Sequence, residues 1–229
     1  MVVLEFYEII ADGPGRHTIV LPSPYRCIGW NMYRYDLFVS YKREPSAKRL
    51  VTPWLREVLN RIEYWVGQDM GGVPIEVFFD EDSIEVGSNW PDEIRTALLT
   101  AKCLLPIWSP EYFHSSWCMA EWKSFLRRER QIAGTDGSGC RLIFPIKFHD
   151  GVWFPEEARQ VQQLDLSMYT GTTPAFWATQ RADELDQLIK RSAPNLARLI
   201  SSAPPYETAW PVDMAEPKRP PEGVGMARL

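Results

Sequence analysis

The chain has 229 residues, 45% hydrophobic and 24% charged, with a formal net charge of −5 at neutral pH. That length favours one generous domain with appendages over two full domains, and ten Trp and ten Phe supply too much core for a disordered chain. The acidic balance argues against nucleic acid or an anionic membrane as a partner, and no apolar run approaches the roughly 20 residues of a membrane span.

The N-terminus, MVVLEFYEII, has no basic leading region and carries Glu5 and Glu8, so it does not read as a secretory signal. Residues 1–33 form an N-terminal extension with two β-like runs, 2–10 and 18–21, around the turn signal Gly13-Pro14-Gly15. A small hairpin and a poorly ordered stretch both fit that pattern. Cys27, Cys103, Cys118 and Cys140 are irregularly spaced, with no CxxC pair to suggest zinc or redox chemistry. They read as reduced thiols of a cytoplasmic protein.

From Tyr35 strands and helices alternate over residues 34–203. The run 35–40 is short and apolar and ends in a polar turn, as a buried parallel strand does. Thr52 caps a helix with Pro53 in its first turn, and Leu55, Val58, Leu59, Ile62 and Val66 recur along it at helical spacing. A strand at 75–79 and an acidic loop at 80–87 follow. Ser88 opens a second helix whose Ile94, Ala97, Leu98 and Ala101 face the core.

The third strand is 103–108, and Ser109-Pro110 starts a short turn. Ser115 or Ser116 caps a helix reaching about Arg130. After a Gly-rich loop at 134–139 come a fourth strand at 141–148, a weak fifth at 164–168 and a final helix near 183–199, which Pro194 kinks or splits. This alternation predicts an α/β flavodoxin-like three-layer sandwich around a central parallel sheet. Pro106 and Pro145 fall inside strand candidates, a position expected of an edge or a bulge. From Pro204 onward six prolines crowd residues 204–229, a tail expected to be extended or disordered and dispensable for stability.

Three segments then carry a family resemblance. Tyr35-Asp36-Leu37-Phe38-Val39-Ser40-Tyr41 resembles the first box of TIR (Toll/interleukin-1 receptor) domains. Asp80, Glu81, Asp82, Ser83, Ile84 and Gly87 belong to a stretch resembling the BB loop of bacterial and plant-like members, which mediates contacts between subunits. Trp117-Cys118-Met119-Ala120-Glu121, preceded by Ser109-Pro110-Glu111-Tyr112-Phe113, resembles the helix that carries the catalytic glutamate of NAD+-cleaving members. Phe176-Trp177 is similar to the third box.

The resemblance implies an NAD+ glycohydrolase of the bacterial type, releasing nicotinamide and ADP-ribose or its cyclic form, and an antiviral effector activated by self-assembly. Glu121 is the implied catalytic residue. It does not sit at the third helical position that a capping box requires, and it lies one turn beyond Trp117 on the same face. Trp117 is a candidate to stack on the substrate, with core packing an equal rival. Ser40, Tyr41, Lys42 and Arg43 follow the first strand, where open α/β sheets bind ligands; Lys42 or Arg43 can pair with a pyrophosphate, though a solvated basic loop is the plainer reading of each. Trp90 is core or site edge.

No cofactor is implied, since NAD+ is the substrate, and the proline-rich tail leaves room for a separate sensor protein. Two other function classes stay open: a TIR scaffold that signals by homotypic association alone, and a nucleoside-processing transferase of similar layered fold. A phosphoryl receiver does not fit, because Ser40-Tyr41-Lys42 stands where it needs acidic residues after the first strand.

Overall fold

The computed structural model describes residues 32–43, 51–79, 90–136 and 140–214. The chain divides into two units, Met1–Met32 and Tyr33–Leu229, and the α/β fold belongs to the second. The hairpin expected in residues 1–31 lies outside the described residues, as do Cys27, Ser88 and the acidic loop with Asp80, Glu81, Asp82, Ser83, Ile84 and Gly87.

In chain order the elements are β1 (Tyr35–Ser40), α1 (Val51–Asp69), β2 (Val77–Phe78), α2 (Trp90–Thr100), β3 (Ala101–Trp108), α3 (Pro110–His114) and α4 (Ser116–Asp136). Then follow β4 (Ile146–Lys147), α5 (Glu156–Arg159), β5 (Leu164–Asp165), two 3-10 turns (Ser167–Tyr169 and Pro174–Ala178) and α6 (Gln180–Ser201). The five strands lie in the order β2-β1-β3-β4-β5, and every pairing is parallel.

Each strand residue turns its side chain to the face opposite its neighbour's. Leu37, Val39 and Tyr41 join Cys103, Leu105 and Ile107 in a core shared with α1 and α6. Phe38 joins Leu104 and Trp108 in a second core with α2, α3 and α4. The uninterrupted apolar run of β1 is what a strand covered on both faces needs.

Several local expectations change. Thr52 is a helical residue of α1, which already begins at Val51, so it is not the cap. The turn at Ser109 is a helix: Ser109 accepts a hydrogen bond from the Tyr112 amide at 3.2 Å, with Pro110 in the first turn. Ser115, not Ser116, caps α4, accepting from the Cys118 amide at 3.4 Å. Pro194 lies inside α6 without splitting it.

Pro106 is neither at an edge nor in a bulge; it sits in β3, the middle strand. Leu104 donates to the Leu142 carbonyl and Trp108 accepts from Phe148, so residues of this parity address β4. The missing N–H of Pro106 therefore faces that side, towards the Phe144 carbonyl. The ladder breaks there into an isolated Leu104–Ile143 bridge and the short β4, in place of a continuous strand over 141–148.

The first part of the tail is the largest correction, and residues 215–229 lie outside the described residues. Residues 203–214 pack on the α2/α4 side of the domain through Tyr206, Trp210, Val212 and Met214, and Trp210 is 4% exposed. Asp213 donates its amide to Ser124 Oγ at 2.7 Å and pairs with Arg127 at 2.7 Å. The aromatic and aliphatic residues between the prolines have core to join, which outweighs the extended bias of proline.

Candidate functional site

Strand order reverses direction between β1 and β3, and in open α/β sheets ligands bind beyond the carboxyl ends of the strands at such a switch point. Ser40 is the last residue of β1, and alternation turns it towards α4. There its hydroxyl donates to Glu121 Oε2 at 2.5 Å. Ser40 is 1% exposed and Glu121 7%. A carboxylate at that depth has a hydroxyl from a different element to hold its orientation, and charge-assisted bonds of this type are short and strong.

Two further groups complete the cluster. The Tyr112 hydroxyl lies 2.9 Å from Ser40 Oγ and 3.2 Å from the Cys118 carbonyl. Cys118 points its sulfur at the Tyr41 carbonyl, 3.4 Å away. Burial, and after it the charge of Glu121, raises the Cys118 thiol to about 12, so it is an inert packing group and not a nucleophile. Tyr112 is pushed well above the usual phenol range, first by burial, then by Cys118 and Glu121.

The expected site residues separate. Ser40 and Glu121 meet, while Tyr41 turns to the opposite face, buried against Phe79 with ring centroids 5.3 Å apart. Tyr41 and Lys42 line a cleft of about 370 Å³ with Ile107, Ser109, Glu111, Phe148 and His149. Glu121 is not among its walls. Arg43 is exposed, and Trp117 is half-buried on α4 one turn before Glu121. Trp90 opens α2, and its side chain lies outside the described residues. Phe176 and Trp177 fall in the second 3-10 turn, where the Arg61 guanidinium lies 4.7 Å from the Trp177 ring centroid.

Nothing in the sequence singles out Tyr112, although it lies in one of the segments resembling the family. The capped turn of α3 carries it, and its hydroxyl meets Ser40 and the Cys118 carbonyl. His149 and Asp150 carry no sequence signal either; their side chains meet at 2.8 Å beside the cleft. A larger hollow of about 780 Å³, lined by Glu129, Arg141, Gln163 and Asn195 among others, opens between α4, α6 and the start of β4, apart from Ser40 and Glu121. Among the described residues no group of three or more His, Cys, Asp or Glu is placed to hold a metal ion, and no helix is long and apolar enough to cross a membrane.

Residues 37–189 match the TIR domain family. No curated protein matches the chain. Among solved structures it is similar to the TIR domain of the Toll-related receptor TRR-2 from Hydra magnipapillata, with 18% identity and a TM-score of 0.39 over 65% of this chain and 97% of that one. It is also similar to the TIR domains of the activated Roq1 resistosome that recognises the pathogen effector XopQ, with 16% identity and a TM-score of 0.33 over 72% of this chain and 84% of that one. Matched to the family over more than half its length, the chain belongs to the TIR domain family.

Proposed function

We propose that this TIR domain cleaves the nicotinamide–ribosyl bond of NAD+ and acts, when self-assembled, as an antiviral effector that depletes the dinucleotide. The observation that carries the reading is Glu121: a carboxylate 7% exposed at the carboxyl end of the sheet, oriented by the Ser40 hydroxyl at 2.5 Å. A helix carboxylate serving only solubility has no need of that depth or that partner.

One carboxylate suffices for this chemistry. As the bond from the pyridinium nitrogen to the ribose C1′ breaks, its electron pair stays with nicotinamide, which leaves neutral and needs no acid. The positive charge that develops on the ribose falls to the carboxylate, electrostatically or through transient attack at C1′. Water adding at C1′ and losing a proton completes hydrolysis to ADP-ribose; attack by an adenine nitrogen gives the cyclic product. Trp117 is a candidate to stack on the flat cationic ring, Trp90 to border the site, and Lys42 or Arg43 to pair with the pyrophosphate. No cofactor takes part.

The test incubates purified protein with NAD+ and with nucleosides and separates the products. Nicotinamide release that falls on the order of 10²-fold or more in a folded Glu121→Gln variant supports the reading. Turnover of nucleosides alone assigns the transferase class, and no turnover of either at high protein concentration assigns the scaffold.

A further inference from the structure

We propose that Tyr112 is a positioning residue for Glu121, acting through Ser40. The inference rests on the reading of Glu121 as the catalytic carboxylate and adds the residue that keeps its partner in place.

The proton inventory of the cluster gives the direction of each bond. The Ser40 hydroxyl donates to Glu121 Oε2 at 2.5 Å, so its single proton is committed there. Ser40 Oγ is left as an acceptor, and the Tyr112 hydroxyl stands 2.9 Å from it. Tyr112 also has one proton and two acceptors in reach, Ser40 Oγ and the more distant Cys118 carbonyl at 3.2 Å. The shorter contact completes a relay from α3 through β1 to α4. A serine hydroxyl has three staggered positions, and a donor bound to its oxygen selects among them. Burial holds the phenol protonated far above neutral pH, so it remains a donor wherever the enzyme works.

Tyr112 does not touch substrate in this arrangement. It is fully buried, with its ring edge-on to Phe113 at 5.3 Å between centroids. The proposed route to Glu121 runs through Ser40, 72 residues earlier in the chain. Tyr112→Phe keeps the ring and removes the one proton, so it separates the relay from the packing.

The experiment measures kcat and KM for NAD+ in the wild type, Tyr112→Phe, Ser40→Ala and the double variant, with urea midpoints for all four. A relay predicts that Tyr112→Phe lowers kcat about tenfold with KM changed less than about twofold, and that the double variant is no slower than Ser40→Ala alone. Wild-type kcat in Tyr112→Phe, or losses that multiply in the double variant, would overturn the positioning role. Failure of the function itself looks different: the wild type leaves NAD+ intact. The relay then stands on the midpoints, where non-additive shifts support it and additive shifts overturn it.

Discussion

Trp210 lies over the guanidinium of Arg128, 5.2 Å from its central carbon to the indole centroid, with Phe125 against the same group at 4.3 Å. Arg128 is itself fully buried and donates to the carbonyls of Leu98 and Ala101 at 3.0 Å, where α2 meets β3. Burial lowers it to about 10, so it is charged at neutral pH and needs this enclosure. The C-terminal strap thus covers a buried cation that fastens α4 to α2.

The strap should therefore matter for stability. Trp210→Ala is expected to cost about 3–5 kcal/mol, and truncation after Ala203 at least as much. Urea unfolding followed by far-UV dichroism measures both. A truncated protein with the full-length midpoint would show that residues 204–214 contribute nothing.

Cysteine reactivity gives an independent reading of the site. With its thiol raised to about 12, Cys118 is thiolate in only about one molecule in 10⁴ at pH 8, and Cys103 is also raised, by burial. Native protein treated with iodoacetamide at that pH should label Cys140, which is partly exposed, well before Cys103 and Cys118. Peptide mapping checks the order, and early labelling of Cys118 would contradict a closed cluster around Glu121.

Glu129 gives a pH signature. Burial raises it above the usual carboxylate range, against a 2.6 Å hydrogen bond from the Leu142 amide and the nearby Arg141. The native state therefore binds its proton more tightly than the unfolded chain does. Its contribution to stability is complete below the unfolded value of about 4.3 and is lost as pH rises through the raised native value. The midpoint of the wild type relative to Glu129→Gln should fall as pH rises above about 4.3. A difference that grows with pH would reverse the assignment.

Control by assembly is the remaining expectation, and it concerns the segment of residues 80–88. If neighbouring subunits complete the site there, specific activity rises with protein concentration, because the competent state is rare in a monomer. Gly87→Pro, which fixes φ at that position, should lower activity by weakening assembly. Flat specific activity from nanomolar to high micromolar protein, together with a harmless Gly87→Pro, would count against it.

What could be read in the sequence was local. Strand alternation in 35–40, the helical spacing of Leu55, Val58, Leu59 and Ile62, and the run from Ser109 to Glu121 each depend on residues a few positions apart. Those are the distances over which backbone periodicity and capping operate. They were enough for a parallel α/β sheet; Glu121 as a catalytic residue is what the resemblance to TIR domains implies.

Tertiary structure decided what depends on distant partners. Ser40 and Glu121 are 81 residues apart, and nothing in either segment says that a β1 hydroxyl will meet an α4 carboxylate, or that Tyr112 will stand behind it. Pro106 is acceptable in the middle strand only because its missing donor falls at the one step where the β3–β4 ladder lapses. The tail misled for the same reason: its prolines speak to local conformation, whereas Trp210 responds to a buried arginine on another element, and burial of that kind is a property of the assembled core.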